Sequence, residues 1–505
     1  MNVPWKNLGD LIDPKADPSK TALVDLRDPQ APREWRYDEL DAWTGGVAAH
    51  LAAQGLKPGD NVAIASLNRA EYLFAYFGIM RAGYVAVHMN IKLPQATLDA
   101  LVADGDIRYA FVDGPRRAGF EGKLPVLDFD EAGPAGFASV IRPQAFETVI
   151  PAPGALAQML YTSGSTGLPK GVQLSHAGQA WALAVVVRAG HFADDRYLVA
   201  QPLFHMNGLF MAKRALSTHA TLVILPAFDI NRYVAALADY RINTLTAVPT
   251  MFARIIKDPA LLAGRDFSAM TTCVLGSAPM TRALWDRIQQ AFPKTVLIHT
   301  YGTTEAGPAV FGPHPDGIAT PPLALGYPLP EGEVKLVGGA NDDEGVLWMR
   351  NPAVMAGYRN LPAKNAQVLQ DGWYNSGDLM RRDAQGFHYF VGRADDMFVC
   401  SGENIYPGEV ELLLEKHPLI QQACVLPVPD EERSQVPVAF IVPKAGASLS
   451  VREVKDYALA NGPAYQHPRR VAFVAELPWA GTHKIDRNAL SKLALRYEAE
   501  GGWSE

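Results

Sequence analysis

The reading of this chain turns on Tyr161-Thr162-Ser163-Gly164-Ser165-Thr166-Gly167-Leu168-Pro169-Lys170-Gly171, which follows an apolar, strand-like run at 156–160. The stretch holds four Ser/Thr hydroxyls, three glycines and one lysine. Glycine admits backbone conformations closed to other residues. Successive N–H groups can then turn inward and form an anion nest. The hydroxyls add donors, and Lys170 adds a mobile point charge. This is a candidate grip for a polyphosphate. It is not the pattern G-x-x-x-x-G-K-[ST], because the spacing differs and Pro169 precedes the lysine. By itself a flexible polar loop explains the stretch equally well, so the surrounding chain must decide.

Upstream, Leu40, Trp43, Val47 and Leu51 recur every three or four residues and predict a helix over 37–54. Gly55 and Pro58 stop it. A buried strand is predicted at 61–65, a helix at 70–81 and a strand at 84–87. Pro94 suits the first position of a helix running to 103, and 108–112 reads as a strand. Residues 114–153 are rich in Gly, Pro and Ala and predict an irregular connection into the loop. Downstream, helices are expected at 176–188, 230–240 and 281–291. Strands are expected at 196–200, 221–225, 244–248, 271–275 and 295–299. Such alternation predicts α/β regions with mostly parallel sheets.

Beyond about Pro321 the runs at 334–337 and 345–350 are short and turn-bounded. Gly392-Arg393-Ala394-Asp395-Asp396 reads as a joint. The chain beyond the joint has its own pattern, with helices at 409–416 and 451–460 and strands around Ala423, Ala439 and Val471. The expected architecture is therefore α/β. A large N-terminal domain, 1–394, contains two α/β subdomains and a β-rich subdomain. A hinge at 395–396 leads to a small mobile α+β C-terminal domain, 397–505.

Composition narrows the function. At 505 residues the chain is too long for one core. A net charge of −7 without a long basic run argues against nucleic acid as the main partner. Cys273, Cys400 and Cys424 match no zinc spacing and read as free thiols of a reducing, cytoplasmic compartment. The N-terminus lacks a signal-peptide pattern. The most apolar stretch, 72–89, contains Arg81 and Gly83 and is not expected to span a membrane.

Two further stretches carry chemistry. At His299-Thr300-Tyr301-Gly302-Thr303-Thr304-Glu305 a strand runs out into a loop, where ligands of parallel sheets sit. A tyrosine there can stack on a purine, and a carboxylate there can hold Mg²⁺, which prefers oxygen ligands. In Tyr374-Asn375-Ser376-Gly377-Asp378 the aspartate stands beside a glycine turn and can accept hydrogen bonds from ribose hydroxyls. Each taken singly is also an ordinary polar turn.

Taken in order, the opening loop, Tyr301-Gly302-Thr303-Thr304-Glu305, Ser376-Gly377-Asp378, Gly392-Arg393-Ala394-Asp395-Asp396 and His483-Lys484-Ile485 resemble the adenylate-forming superfamily. That group includes acyl-CoA synthetases, peptide-synthetase adenylation domains and firefly luciferase, and the chain most resembles an acyl- or aryl-CoA ligase. The resemblance implies two steps, with ATP, Mg²⁺, a small-molecule carboxylic acid and CoA as cofactors and substrates. The acid attacks the α-phosphate and releases pyrophosphate, and a thiol then attacks the acyl-adenylate. It implies that Thr162, Ser163, Gly164, Ser165, Thr166, Gly167 and Lys170 hold the β- and γ-phosphates. Tyr301 would pack on adenine opposite Gly276, Ser277 and Ala278, within the Gly302-Thr303 turn. Thr304 would touch the α-phosphate, Glu305 would bind Mg²⁺, and Asp378 would take the ribose hydroxyls with Arg393.

The same resemblance implies that Lys484 stabilises the first transition state. Asp395 matches the hinge position, and Ser401, Gly402 and Glu403 line the CoA channel. His205 matches an aromatic position near the acyl carboxylate, with a role in substrate binding or in gating the thiol. Asn207, Val248, Thr300 and Gly307 would line the acyl pocket. Glycines at 276, 302 and 307 would leave it space for an aryl or medium acyl group, Asn207 could hydrogen-bond a polar substituent, and Arg254, which could pair with a second carboxylate as in malonyl-type ligases, reads first as a helix-face arginine. Three positions depart from the pattern: His88 replaces a common proline, Gln466 stands where a lysine is often found, and His483 stands where glycine is more frequent. A stand-alone enzyme loading a carrier protein is the rival reading. No aspartate follows Phe204, which disfavours an amino-acid substrate. A homodimer is left open.

Overall fold

The computed structural model describes residues 3–162, 168–188, 192–278, 280–339, 341–400, 403–430, 433–479 and 485–504. Strand Asn61–Ala65 forms where four consecutive apolar side chains follow a turn, and Val62 through Ala65 are all inaccessible. Strands buried on both faces are the mark of a parallel sheet covered by helices. This strand lies in a seven-stranded sheet with Val85–His88 and Leu156–Thr162 on one side and Ile107–Val112 and Val126–Asp128 on the other, all parallel. Beyond Leu156–Thr162 the direction reverses. Lys170–Ser175 pairs antiparallel with it, Thr162 opposite Lys170, so the phosphate-loop stretch connects two strands of a hairpin.

A second seven-stranded sheet runs Val296–His299, Thr272–Leu275, Thr244–Ala247, Arg196–Val199, Thr221–Ile224, Thr21–Asp25, Arg33–Arg36. Its last two strands come from the start of the chain, so the two α/β regions are not consecutive halves. Short-range patterning carries no signal for that pairing across two hundred residues.

Helix Ala70–Arg81 is buried at every residue. It lies with helices His176–Val187 and Met206–Ser217 in a core fed by both sheets, as an all-round apolar helix must. Further cores cover the outer faces of the two sheets. The irregular connection expected at 114–153 holds helix Gly114–Phe120, strand Val126–Asp128 and a helical turn, Phe137–Val140. Helices Met206–Ser217, Pro249–Ile255 and Arg487–Glu500 were also outside the sequence reading.

An antiparallel sheet is built on Glu333–Gly338, Glu344–Arg350, Trp373–Arg382 and His388–Arg393. A single turn, Ala394–Asp396, then leads into Phe398–Cys400. The residues from Phe398 to Ala494 contribute a core of their own. Helix Pro407–Leu414 of this part approaches strand His388–Arg393 so closely that a Cβ on Gly408 would lie 2.3 Å from the Val391 carbonyl oxygen. Glycine is required there for contact rather than for conformation. Among the described residues no helix is long and apolar enough to cross a membrane.

Candidate active site

Thr162 ends a strand of one seven-stranded sheet, Ser277 and Tyr301 follow the last two strands at one edge of the other, and Asp378 and Arg393 come from the antiparallel sheet before the joint. Thr162 ends its strand with a buried Oγ1 that has no hydrogen-bond partner among the described residues. A buried hydroxyl left unpaired is costly, and Thr162 is the last described residue before the stretch read as a phosphate grip. Ser163, Gly164, Ser165, Thr166 and Gly167 lie outside the described residues. Lys170 Nζ sits 4.6 Å over the Tyr358 ring. Burial lowers its pKa, against the pull of the Glu305 carboxylate.

Glu305 is 9% exposed, and its Oε1 accepts a 2.9 Å hydrogen bond from the Tyr358 hydroxyl. Its turn is held by Ala306 N donating to Thr303 Oγ1 at 3.0 Å and Gly307 N to Thr303 O at 2.9 Å. Thr304 is half-buried within that turn. No group of three His, Cys, Asp or Glu among the described residues could hold a metal alone. Glu305 fits an ion that takes one protein carboxylate and completes its shell with phosphate oxygens and water, as Mg²⁺ does.

Tyr301 donates to Asp378 Oδ2 at 2.5 Å, and Arg393 Nη1 donates to Asp378 Oδ1 at 2.8 Å and to the Ser376 carbonyl at 2.9 Å. Arg393 also grips Asp395, with Nε to Oδ1 at 2.9 Å and Nη2 to Oδ2 at 3.2 Å. One guanidinium thus joins the carboxylate read as the ribose acceptor to the carboxylate read as the hinge. Burial raises the Asp395 pKa, but the hydrogen bonds and charge of Arg393 outweigh it and hold the carboxyl below its usual value. Burial and then Asp378 push the Tyr301 phenol well up, so it stays a donor. Gly377 adopts φ 69°, which a side chain would resist.

Ser277 has φ 65°, a left-handed conformation uncommon for serine. Its Oγ accepts from Asn207 Nδ2 at 3.1 Å, while Asn207 Oδ1 accepts from Thr246 Oγ1 at 2.8 Å. Asn207 is therefore held at both ends by protein, with one N–H and one lone pair of its amide left over. The reading of the glycines needs correcting. A Cβ at Gly276 would lie 2.7 Å from Thr300 Cγ2, one at Gly302 2.6 Å from Pro308 Cα, and one at Gly307 (φ 74°) 3.1 Å from Ala353 Cβ. They let strand ends and turns pack closely and do not open space.

Ala278 continues from Ser277. Val248 caps helix Pro249–Ile255 and is 6% exposed. His205 caps helix Met206–Ser217, its ring 4.8 Å from that of Phe204. Arg254 is exposed, over the Phe228 ring at 5.5 Å, as a helix-face residue. Glu403 is exposed in strand Glu403–Ile405. Ser401, Gly402 and Lys484 lie outside the described residues. Among the residues that flank 480–484, Ile485 bridges to Trp479, and Arg487 binds both oxygens of Glu411 at 2.6 and 2.7 Å. Tyr358, Thr246 and Glu411 escaped the sequence reading. Tyr358 and Thr246 reach site residues from distant elements, Glu411 holds Arg487 within the C-terminal part, and no local motif marks any of the three.

This geometry agrees with the comparisons with known proteins. Residues 13–359 match the AMP-binding enzyme model, and 409–484 match that of the AMP-binding enzyme C-terminal domain. The chain belongs to the AMP-binding enzyme family. It is similar to a feruloyl-CoA synthase of Amycolatopsis sp, 32% identical over 89% of this chain and 92% of that protein. Among solved structures it resembles ATP-bound MatB from Rhodopseudomonas palustris, with TM-score 0.87 and 28% identity over 98% of this chain and 99% of that one. It also resembles the anthranilate CoA ligase AuaEII in complex with anthranoyl-AMP, with TM-score 0.86 and 26% identity over 99% of both chains.

Proposed function

We propose that this chain activates an aromatic carboxylic acid with ATP and transfers the acyl group to CoA. The overall chemistry is that of an ATP-dependent, AMP-forming acyl-CoA ligase. The observation that carries the reading at residue level is the hydrogen-bonded chain Tyr301–Asp378–Arg393–Asp395. It lies beside a site where Lys170 and Glu305 interact. The feruloyl-CoA and anthranilate relatives support an aromatic acid.

In the first step a carboxylate oxygen of the acid bonds to the α-phosphorus, the bond to the bridging oxygen breaks, and pyrophosphate leaves. Thr162 and Lys170 bind the departing phosphates, Thr304 contacts the α-phosphate, and Asp378 with Arg393 holds the ribose. When bound at Glu305, Mg²⁺ supplies charge neutralisation at the phosphates. Lys484 adds a positive charge where negative charge builds. In the second step the CoA sulfur attacks the acyl carbon and AMP leaves, with Glu403 and its neighbours along the thiol path and His205 at its mouth. The two steps use a 1–394 domain and a 397–505 domain joined at 395–396. The free, buried thiols Cys273, Cys400 and Cys424 support a cytoplasmic site of action.

The test is acid-dependent pyrophosphate release over a panel of aromatic, medium-chain and dicarboxylic acids, with and without CoA. Release that no acid stimulates would sink the reading. Acid-dependent release with no acyl-CoA formed would move the acceptor to a carrier-protein thiol.

Two substitutions probe the roles. Glu305→Gln keeps an acceptor for Tyr358 but removes the charge. Its kcat/KM for ATP should fall at least about tenfold, and extra Mg²⁺ should restore part of it. An unchanged Mg²⁺ dependence would remove Glu305 from the metal. Asp395→Pro fixes φ at the joint and deletes the Arg393 ion pair. Acyl-CoA formation from supplied acyl-adenylate should drop on the order of a hundredfold, much more than pyrophosphate release. An equal loss in both assays would show that Asp395 is not a hinge.

A further inference from the structure

Lys213 is a buried lysine that the reaction scheme leaves unused. It lies on helix Met206–Ser217, is 0% exposed, and makes no ion pair among the described residues. Its Nζ donates to Gln179 Oε1 at 2.9 Å and stands 5.4 Å from the centre of the Phe210 ring. Gln179, from helix His176–Val187, also accepts from Gln158 Nε2 at 3.2 Å. Because lysine is donor-only, this fixes the amide orientation and leaves Gln179 Nε2 buried with no partner. His88 completes the set. Its Nδ1 pairs with the Tyr72 hydroxyl at 2.7 Å, and its Nε2 is buried and unpartnered. Burial and the nearby Lys213 charge keep His88 neutral, and in the tautomer whose Nδ1 accepts from the Tyr72 hydroxyl, Nε2 is a donor. Among the described residues two buried nitrogens from two elements, Gln179 Nε2 and His88 Nε2, therefore have no partner, near a buried lysine with no counter-ion.

The position of the cluster says what could complete it. Met206, Phe210 and Lys213 are spaced four and three residues apart and share one helix face. Met206 is half-buried next to His205, Phe210 is buried, and Lys213 lies deeper, about 10 Å along the axis from Met206 at 1.5 Å per residue. The facing helix repeats the order. Ala182 stands opposite Gly307 at the assigned pocket, and Gln179 lies one turn away beside Lys213. A substrate with its carboxyl at His205 and a ring past Met206 would point its far end at this cluster, with a turn of the Phe210 ring opening the way.

We propose that Lys213, Gln179 and His88 form the end wall of the acyl pocket and select acids whose remote end carries an acceptor oxygen, a second carboxylate or a ketone. This rests on the acid-activating reading above. Lys213 supplies the charge, and the Gln179 amide and the His88 ring supply the direction. A buried charge lacking its partner is otherwise hard to account for.

The experiment compares cinnamate, 4-acetylcinnamate and 4-carboxycinnamate in pyrophosphate release by the full-length enzyme and by Lys213→Met. Wild type should favour one of the two substituted acids over cinnamate by about tenfold or more in kcat/KM. Which one it favours separates the ketone from the carboxylate. Lys213→Met should abolish that preference through KM, bringing the three acids to within a few-fold of one another in kcat/KM. Gln179→Leu provides a second variant, expected to weaken the preference in the same direction. Absence of preference in wild type, or equal losses for all acids in both variants, overturns the proposal while leaving the ligase reading intact. No release with any acid overturns both.

Discussion

Lys484→Ala should lower acid-dependent pyrophosphate release by about a thousandfold, the scale of removing a donor aimed at transition-state charge. Charge accumulates on the α-phosphate and its bridging oxygen only as the acid attacks. An ammonium there stabilises the transition state more than bound ATP, so the loss falls on kcat rather than on the KM for ATP. Acyl-CoA formation from supplied acyl-adenylate should survive within a few-fold, because no phosphate bond breaks in that step. The check is the pair of assays run side by side on one preparation. Equal loss in both would reassign Lys484 to structure or to both steps. Arg487, bound to both oxygens of Glu411 just beyond the lysine segment, provides the control position. Arg487→Ala should reduce release less than Lys484→Ala does, because it removes a flanking ion pair without deleting the lysine's charge.

Lys213→Met should stabilise the enzyme without substrate by about 2–4 kcal/mol at pH 7 and below, read as a higher urea midpoint. Burial pushes the Lys213 pKa down from 10.5 to about 7. The titratable groups around it are His88, Tyr72 and Tyr76, and none is an acid that ionises at this pH. Proton counts set the sign. Between the folded pKa near 7 and the unfolded value of 10.5, the unfolded chain binds more protons, so wild-type stability rises with pH across that window. The advantage of Lys213→Met is therefore largest below pH 7 and shrinks as pH approaches 10.5. A destabilised variant at pH 7 would mean that the ammonium is already well satisfied. A residue that costs folding stability while facing the substrate pocket fits the trade between stability and function at binding sites.

Element type was largely legible. Strand Asn61–Ala65 and helix Ala70–Arg81 fall where apolar runs and periodicity predict them, since both signals are local. Helix Met206–Ser217 was missed because it is apolar on several sides, with Lys213 interrupting the period, and a buried helix does not advertise one face. The pairing of Thr21–Asp25 with Thr221–Ile224 was invisible for a different reason. A strand's pattern records that it is buried, not which strand it lies beside.

The site divides in the same way. Residue type and local spacing were enough to single out Lys170, Tyr301, Glu305 and Asp378 as candidates, because phosphate, metal and ribose each demand particular donors or acceptors near a turn, whereas Arg393 entered only through the family resemblance. Those demands are chemical and short-range. Tertiary structure alone decided that Arg393 bridges Asp378 to Asp395, that Tyr358 braces Glu305, and that Asn207 is held by Ser277 and Thr246. It also turned the glycines at 276, 302 and 307 from spacers into close-packing contacts, and Lys213 from an ordinary helix lysine into a buried donor facing helix His176–Val187. A side chain's chemistry belongs to its residue. Its partners and its desolvation depend on elements far away in the chain, and these exist only once the sheets and helices have packed.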